Sequence, residues 1–180
     1  MCKTLNRAVF LDRDGVINQA VVREGKPYPP STLADLIVLP GVLNSLQKLA
    51  AADFKVIVIT NQPDVARGKT TRQVVEAINQ HLQSTLPILE IKTCFHDNSD
   101  QCQCRKPSPG ALIEASLEYE IDLHASFMIG DRSSDVQAGA SAGCKTFFID
   151  YGYLEAKPSA PDYVVSSLTQ AVEIILGEQV

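Results

Sequence analysis

An apolar run, Ala8-Val9-Phe10-Leu11, stops abruptly at Asp12-Arg13-Asp14-Gly15. A short run of this kind reads as a buried strand, and Gly15 lets the chain turn straight after it. Ligands of open α/β sheets bind outside the carboxyl ends of the strands. Side chains alternate along a strand, so Asp12 and Asp14 fall on the same side at that edge. Two carboxylates that close repel each other, and a cation between them is the usual remedy. Oxygen ligands suit Mg2+.

The rest of the chain repeats the theme. Lys55–Ile59 is a continuous β-branched run typical of a strand buried on both faces. Further strands are expected at 88–93, 127–129, 146–149 and, at an edge, 163–165. Helical spacing of apolar residues appears after Pro40-Gly41, over Val74, Val75, Ile78 and Leu82, after Pro109-Gly110, around 135–142 and over 168–176. Strands alternating with helices predict βαβ units, a parallel sheet and a three-layer α/β/α sandwich. The stretch holding Pro27, Pro29 and Pro30 is expected to be an irregular loop. No repeat or internal boundary appears, so one domain over 1–180 is expected, with no cap domain.

The chemistry-capable residues share one kind of place. Asp12 and Asp14 follow the first strand, Thr60 and Asn61 the second, Lys106 the loop after the third, and Asp131 the fourth. Parallel strands put all of these on one edge. A carboxylate can attack phosphorus. A lysine and a hydroxyl can bind the equatorial oxygens, where transition-state charge spreads. A second carboxylic acid can protonate the leaving alkoxide and then deprotonate water. The net charge of −5 argues against a general nucleic-acid binder and requires a local basic cluster for an anionic substrate. Arg13, Arg67, Lys69, Arg105 and Arg132 all fall on loops at this edge. No apolar run approaches a membrane span and no signal-peptide pattern is present, so no membrane partner is expected.

Cys94-x-His96 and Cys102-x-Cys104 place three thiols and an imidazole within a polar loop, a ligand set that Zn2+ takes as a closed, structural tetrahedron at 94–104. It would brace the loop that ends at Arg105 and Lys106. The chain has five cysteines, and this crowding suits a reducing, cytoplasmic compartment better than disulfides. Cys2 and Cys144 read as plain thiols, and His81 and His124 as surface residues.

Phe10-Leu11-Asp12-Arg13-Asp14-Gly15, Thr60-Asn61-Gln62, Arg105-Lys106-Pro107 and Gly130-Asp131-x-x-x-Asp135 resemble the four motifs of the haloacid dehalogenase superfamily of phosphatases. The likeness runs roughly from Ala8 to Ile149. It is closest to the zinc-containing branch that holds the heptose 1,7-bisphosphate and histidinol-phosphate phosphatases, which has Cys-x-His and Cys-x-Cys before Arg-Lys-Pro.

The resemblance implies a Rossmann-like fold, with Asp12 as nucleophile and Asp14 as general acid/base. Thr60 and Lys106 would hold the phosphoryl group. Asp12, Asp131 and the Asp14 carbonyl would hold Mg2+, and Asp135 is left outside that first shell. Asn61, Gln62, Arg67, Arg105 and Arg132 are expected to meet substrate, as is the segment Ala20–Arg23. Val65-Ala66-Arg67-Gly68 favours a sugar bisphosphate, above all D-glycero-D-manno-heptose 1,7-bisphosphate. The short gap between His96 and Cys102 favours the alternative, histidinol phosphate, and Pro63-Asp64 sets a negative charge near the site in place of the branch's usual Ser-Gly. The expected partner is a small sugar phosphate, and the chain is expected to act as a monomer. A signalling receiver domain, which splits its acidic residues between two strands, fits this arrangement less well.

Overall fold

The computed structural model describes residues 5–177, and Cys2 lies outside them. The first half comprises β1 (Arg7–Leu11), β2 (Val21–Arg23), β3 (Lys26–Tyr28), α1 (Val42–Ala51), β4 (Phe54–Asn61) and α2 (Arg72–Thr85). β5 (Glu90–Cys94), α3 (Gly110–Glu118), β6 (Phe127–Gly130), α4 (Ser133–Ala142), β7 (Lys145–Ile149), β8 (Tyr163–Val165) and α5 (Leu168–Gly177) follow. Six strands form one sheet in the order β5-β4-β1-β6-β7-β8, parallel throughout. Parallel neighbours need long crossovers; helices supply them except between β7 and β8, which the irregular segment 150–162 joins.

β1 runs through the middle of this sheet and is buried on both sides. Val9 and Leu11 face a core built with Leu46 and Leu49 of α1, Ile78 and Leu82 of α2, and Val172 and Ile175 of α5. Ala8 and Phe10 face the other core, with Leu112 and Ala115 of α3 and Ala138 of α4. Fully burying one such side chain contributes roughly 1.5–3 kcal/mol. The result is the expected three-layer sandwich, and among the described residues no cap domain covers the carboxyl edge of the sheet.

The proline-rich stretch departs from expectation. It holds an antiparallel hairpin of β2 and β3, joined at Glu24-Gly25, both with positive φ (49° and 72°). Two-residue turns with positive φ at both positions match the twist of paired strands. The prolines do not forbid this, because both strands of a two-stranded ribbon are edges, where a missing N–H costs little. Leu154, in the segment between β7 and β8, donates its N–H to the Gly25 carbonyl (2.8 Å) and lies against that glycine. The hairpin is thereby tied down beside the mouth of the sheet.

Arg13 also departs from expectation. It is fully buried rather than open to the mouth. Its Nη1 donates to Asn79 Oδ1 on α2 (2.8 Å), and its Nη2 and Nε reach the Asp14 carboxylate (3.1 and 3.3 Å). Asn79 in turn donates to Thr93 Oγ1 on β5 (2.9 Å). A buried guanidinium is tolerable only when paired and hydrogen-bonded, which is why it turns inward onto these groups. Arg13→Ala is expected to cost roughly 3–5 kcal/mol of stability, the scale for removing one partner of a buried ion pair. Denaturant unfolding measures this, and a loss below about 1 kcal/mol would mean that Arg13 counts no more than an exposed ion-pair residue.

Candidate active site

The apolar run of β1 delivers Asp12 to the carboxyl edge of the sheet, and Gly15 lets Asp131 close in from the end of β6. A Cβ on Gly15, whose φ is +95°, would lie 1.9 Å from Asp131 Oδ2. Gly130 does the same for Asp135, since a Cβ there would lie 2.1 Å from the Asp135 Cβ. These two glycines let three carboxylates, one from the end of β1 and two from the β6–α4 junction, crowd together. One oxygen each of Asp12, Asp131 and Asp135 lies within 4.8 Å of the others, and all three residues are buried.

Lys106 is the cation inside this cluster. It is buried, and its ammonium meets Asp12 Oδ1 (2.7 Å), Asp135 Oδ1 (2.7 Å) and the Ile59 carbonyl (2.6 Å). Its three donors are therefore all used. Burial works against its charge, but Asp12 and Asp135 raise its pKa above the usual lysine value. Burial pushes the Asp12 carboxyl up to about 6; Lys106 pulls it down, and the Asp135 and Asp14 carboxylates push it up. Asp131 is raised well above the ordinary carboxylate value by burial, then by Asp12 and Asp135.

The Lys106 loop is held to β4 by a reciprocal pair. Asn61 Nδ2 donates to the Lys106 carbonyl (2.9 Å), and the Lys106 N–H donates to Asn61 Oδ1 (3.1 Å). The Lys106–Pro107 peptide is cis. Gln62 Nε2 donates to both Asp14 Oδ2 (2.8 Å) and Thr60 Oγ1 (2.9 Å). Asn18 Nδ2 donates to Asp14 Oδ1 (2.9 Å). Asn61 and Gln62, expected to meet substrate, line the cleft beside this centre and also serve the framework: Asn61 ties down Lys106, and Gln62 links Asp14 to Thr60 through Nε2 while its Oε1 has no partner.

Asp135 stands closer to the centre than the sequence reading had it. Left outside the first shell there, it contacts Lys106 directly, while its Oδ2 accepts the Arg132 N–H at the start of α4 (3.0 Å). Both its oxygens are occupied. Asp131 is the opposite case: both of its oxygens are buried with no hydrogen-bond partner, although the Tyr153 phenol lies nearby. Three buried carboxylates around one ammonium, one of them unpartnered, fit a hard divalent cation with oxygen ligands such as Mg2+.

Asp12, Asp14, Asn61, Lys106 and Asp135 line one pocket, which Arg132 and Tyr28 also border. Next to it a cleft of about 680 Å3, counting space open to solvent, is lined by Arg67, Arg105 and Arg132 together with Pro27, Tyr28 and Pro29 of the hairpin. The segment that lines it is thus centred on β3 rather than on Ala20–Arg23. The three arginines come from three separate loops. Asp64, whose charge stood out in the sequence, lies 3.4 Å from Arg67 Nη1. Lys69 and Arg23 line a neighbouring groove instead.

The four soft ligands also meet. Cys94 Sγ is 3.6 Å from both His96 Nδ1 and Cys102 Sγ; Cys104 Sγ is 3.3 Å from Cys94 Sγ, 3.4 Å from His96 Nδ1 and 3.5 Å from Cys102 Sγ. A zinc–thiolate bond of about 2.3 Å implies tetrahedron edges of about 3.8 Å. The donor set and its spacing fit Zn2+. Cys144 is a buried free thiol apart from this group, and His81 and His124 are exposed. Among residues the sequence did not single out, Asp97 and Glu155 pair with Arg67 and Arg132. Neither sits in a motif, and no local pattern marks them.

Residues 103–171 match the model of the HAD-hydrolase-like family. The chain is 37% identical over 146 residues to the D-glycero-beta-D-manno-heptose-1,7-bisphosphate 7-phosphatase of Helicobacter pylori, covering 78% of this chain and 81% of that one. It is 32% identical over 166 residues to the D-glycero-alpha-D-manno-heptose-1,7-bisphosphate 7-phosphatase of Photorhabdus laumondii, covering 85% and 87%. In three dimensions it is similar to the D,D-heptose 1,7-bisphosphate phosphatase of Bordetella bronchiseptica, a structure complexed with magnesium and phosphate, with a TM-score of 0.77, 30% identity and coverage of 96% and 99%. With the site geometry and these relatives in agreement, the chain belongs to the haloacid dehalogenase superfamily, in the family of the D-glycero-D-manno-heptose-1,7-bisphosphate 7-phosphatases.

Proposed function

We propose that this protein is a Mg2+-dependent phosphatase that removes the 7-phosphate of D-glycero-D-manno-heptose 1,7-bisphosphate through an aspartyl-phosphate on Asp12. The observation that carries this reading is the pairing of a buried, lysine-bridged carboxylate cluster with an adjoining cleft lined by three arginines. A cleft of that size suits a small ligand, and its arginines suit a phosphate remote from the reacting one.

In this mechanism Asp12 Oδ attacks phosphorus as the bond to the sugar oxygen breaks, and Asp14 gives its proton to the leaving alkoxide. Asp14 then takes a proton from water, which attacks the phosphorus, releases phosphate and restores the Asp12 carboxylate. Lys106 holds the Asp12 carboxylate in line, and its positive charge stabilises the charge that spreads over the equatorial phosphoryl oxygens. Thr60, buried and turned by Gln62, offers its hydroxyl to the same group. Asp12, Asp131 and the Asp14 carbonyl would hold Mg2+, which supplies neutralisation of the attacking carboxylate and of the phosphoryl oxygens. Asp135 supports Lys106 and the α4 turn from behind.

Cys94, His96, Cys102 and Cys104 would hold a structural Zn2+ that ties down the loop leading into Arg105 and Lys106. Thiolate ligation of this kind fits a reducing, cytoplasmic setting. No helix among the described residues is long and apolar enough to cross a membrane.

Three outcomes test this reading. Asp12→Asn is expected to keep the fold and stop turnover, and Asp14→Asn to slow it on the order of 10²–10⁴-fold; near-wild-type phosphate release from rigorously purified Asp12→Asn protein would exclude the covalent route.

Purified protein is expected to carry about one zinc per chain, from its four ligands. Cys102→Ser is expected to lose that metal, with stability and then activity following. Metal analysis of reduced, chelator-free protein decides it, and a zinc-free but fully active preparation would sink the claim.

Arg105→Ala is expected to remove much of the preference for a bisphosphate over its monophosphate while sparing p-nitrophenyl phosphate, whereas Lys106→Ala damages both. The comparison is kcat/KM on heptose 1,7-bisphosphate, fructose 1,6-bisphosphate and histidinol phosphate. A clear preference for histidinol phosphate would reverse the assignment.

A further inference from the structure

Two of the cleft arginines are held in the same way. Arg67 gives its Nε and Nη2 to the two oxygens of Asp97 (2.9 and 2.6 Å), and Arg132 gives its Nε and Nη2 to the two oxygens of Glu155. Each carboxylate takes the same edge of the guanidinium and leaves Nη1 on the other. Arg132 Nη1 has no acceptor among the described residues, and Arg67 Nη1 has only the 3.4 Å approach of Asp64. Each carboxylate stands on a pinned segment. Asp97 directly follows His96, accepts the Asn98 N–H (2.8 Å) and donates its own N–H to Asp100 (2.8 Å). Glu155 follows Leu154, which is anchored to Gly25.

Resting on the bisphosphate reading above, we infer that Asp97 and Glu155 are positioning residues that aim the Nη1 edges of Arg67 and Arg132 across the cleft at the substrate's non-reacting phosphate. The two arginine side chains are 37% and 43% exposed, so unbraced they would sample many rotamers. Ordering such a side chain costs free energy on binding, and a brace that orders it beforehand strengthens substrate affinity. A carboxylate that merely competed with phosphate would do the reverse, so the direction of the effect separates the two roles.

The test is steady-state kinetics of Asp97→Asn and Glu155→Gln on fructose 1,6-bisphosphate, on fructose 6-phosphate and on p-nitrophenyl phosphate, with unfolding midpoint and zinc content measured alongside. Both substitutions are expected to raise KM for the bisphosphate roughly 2–13-fold, the worth of ordering one such side chain, with kcat nearly unchanged. For Asp97→Asn, activity on p-nitrophenyl phosphate is expected to stay near wild type. In an Arg67→Ala background Asp97→Asn should add nothing further, and likewise Glu155→Gln in Arg132→Ala. A lowered KM, equal losses on the aryl phosphate, or additive effects in the double variants would overturn the inference. If Asp97→Asn sheds zinc, the Glu155 and Arg132 cycle, remote from the cysteine loop, carries the decision. Wild-type protein with no preference for the bisphosphate over the monophosphate would overturn the bisphosphate reading itself, whereas an intact preference with indifferent variants would overturn only the bracing.

Discussion

The site depends on one ammonium. Lys106 sits between Asp12 and Asp135 with its third donor on the Ile59 carbonyl. Without it, three buried carboxylates would face one another across a few ångströms. Desolvated like charges at that range favour the protonated acid, and a protonated Asp12 is not a nucleophile. The residual pressure is visible even with Lys106 present, since burial still pushes Asp12 up to about 6. One lysine thus relieves only part of the repulsion, and the unpartnered Asp131 marks where a divalent cation would relieve the rest. The fold supports this arrangement from both sides: Asn61 clamps the Lys106 backbone to β4, and the α4 turn presents Asp135.

A chain of polar contacts carries order outward from that centre. Gln62 joins Thr60 to Asp14, Arg13 joins Asp14 to Asn79 of α2, and Asn79 joins α2 to Thr93 of β5. β5 ends at Cys94, the first residue of the cysteine–histidine cluster. The loop that closes this cluster then returns as Arg105 and Lys106. Arg105 also gives its Nε to Asn98 Oδ1 (2.8 Å), within the same loop. In the proposed enzyme the zinc loop therefore touches both halves of the work: the lysine at the reacting phosphoryl group and the arginines of the cleft.

What could be read from the sequence follows from the range of the interactions involved. The six parallel strands and their helices are written in local apolar patterns, and the residues at strand ends share an edge because a parallel sheet leaves them no alternative. Asp12, Asp14, Thr60, Lys106 and Asp131 were legible for that reason, and the four soft ligands by their chemical type. Pairings between distant segments were not. Arg13 looked like a mouth-side cation until Asn79, 66 residues away, drew it inward. Asp135 read as lying outside the first shell because its contact with Lys106 depends on how closely Gly130 lets α4 approach. The β2–β3 hairpin was hidden because prolines that break a central strand are harmless in a ribbon made only of edges. Asp97 and Glu155 lie in ordinary polar loops, and only the fold brings them to Arg67 and Arg132.

Among the described residues no cap domain lies over the mouth, and discrimination between phosphates falls to the loops that line it. The proposed division of labour uses burial. The Lys106 side chain is 2% exposed and saturated by rigid acceptors, so its charge is little screened and its position hardly varies. Such a cation suits the group whose charge changes during the reaction, because a preorganised donor need not rearrange as the transition state forms. Arg67 and Arg132 are more than a third exposed and screened by solvent, which suits a phosphate that must be recognised but does not react. Binding energy gathered at Arg67 acts on the reacting end through the rigidity of the sugar, while Arg132 also borders the pocket that holds Asp12. Selectivity for a bisphosphate then reduces to a distance, measured from Asp12 to the Nη1 edges of two arginines, and the short loops that set this distance decide which sugar phosphate the site accepts.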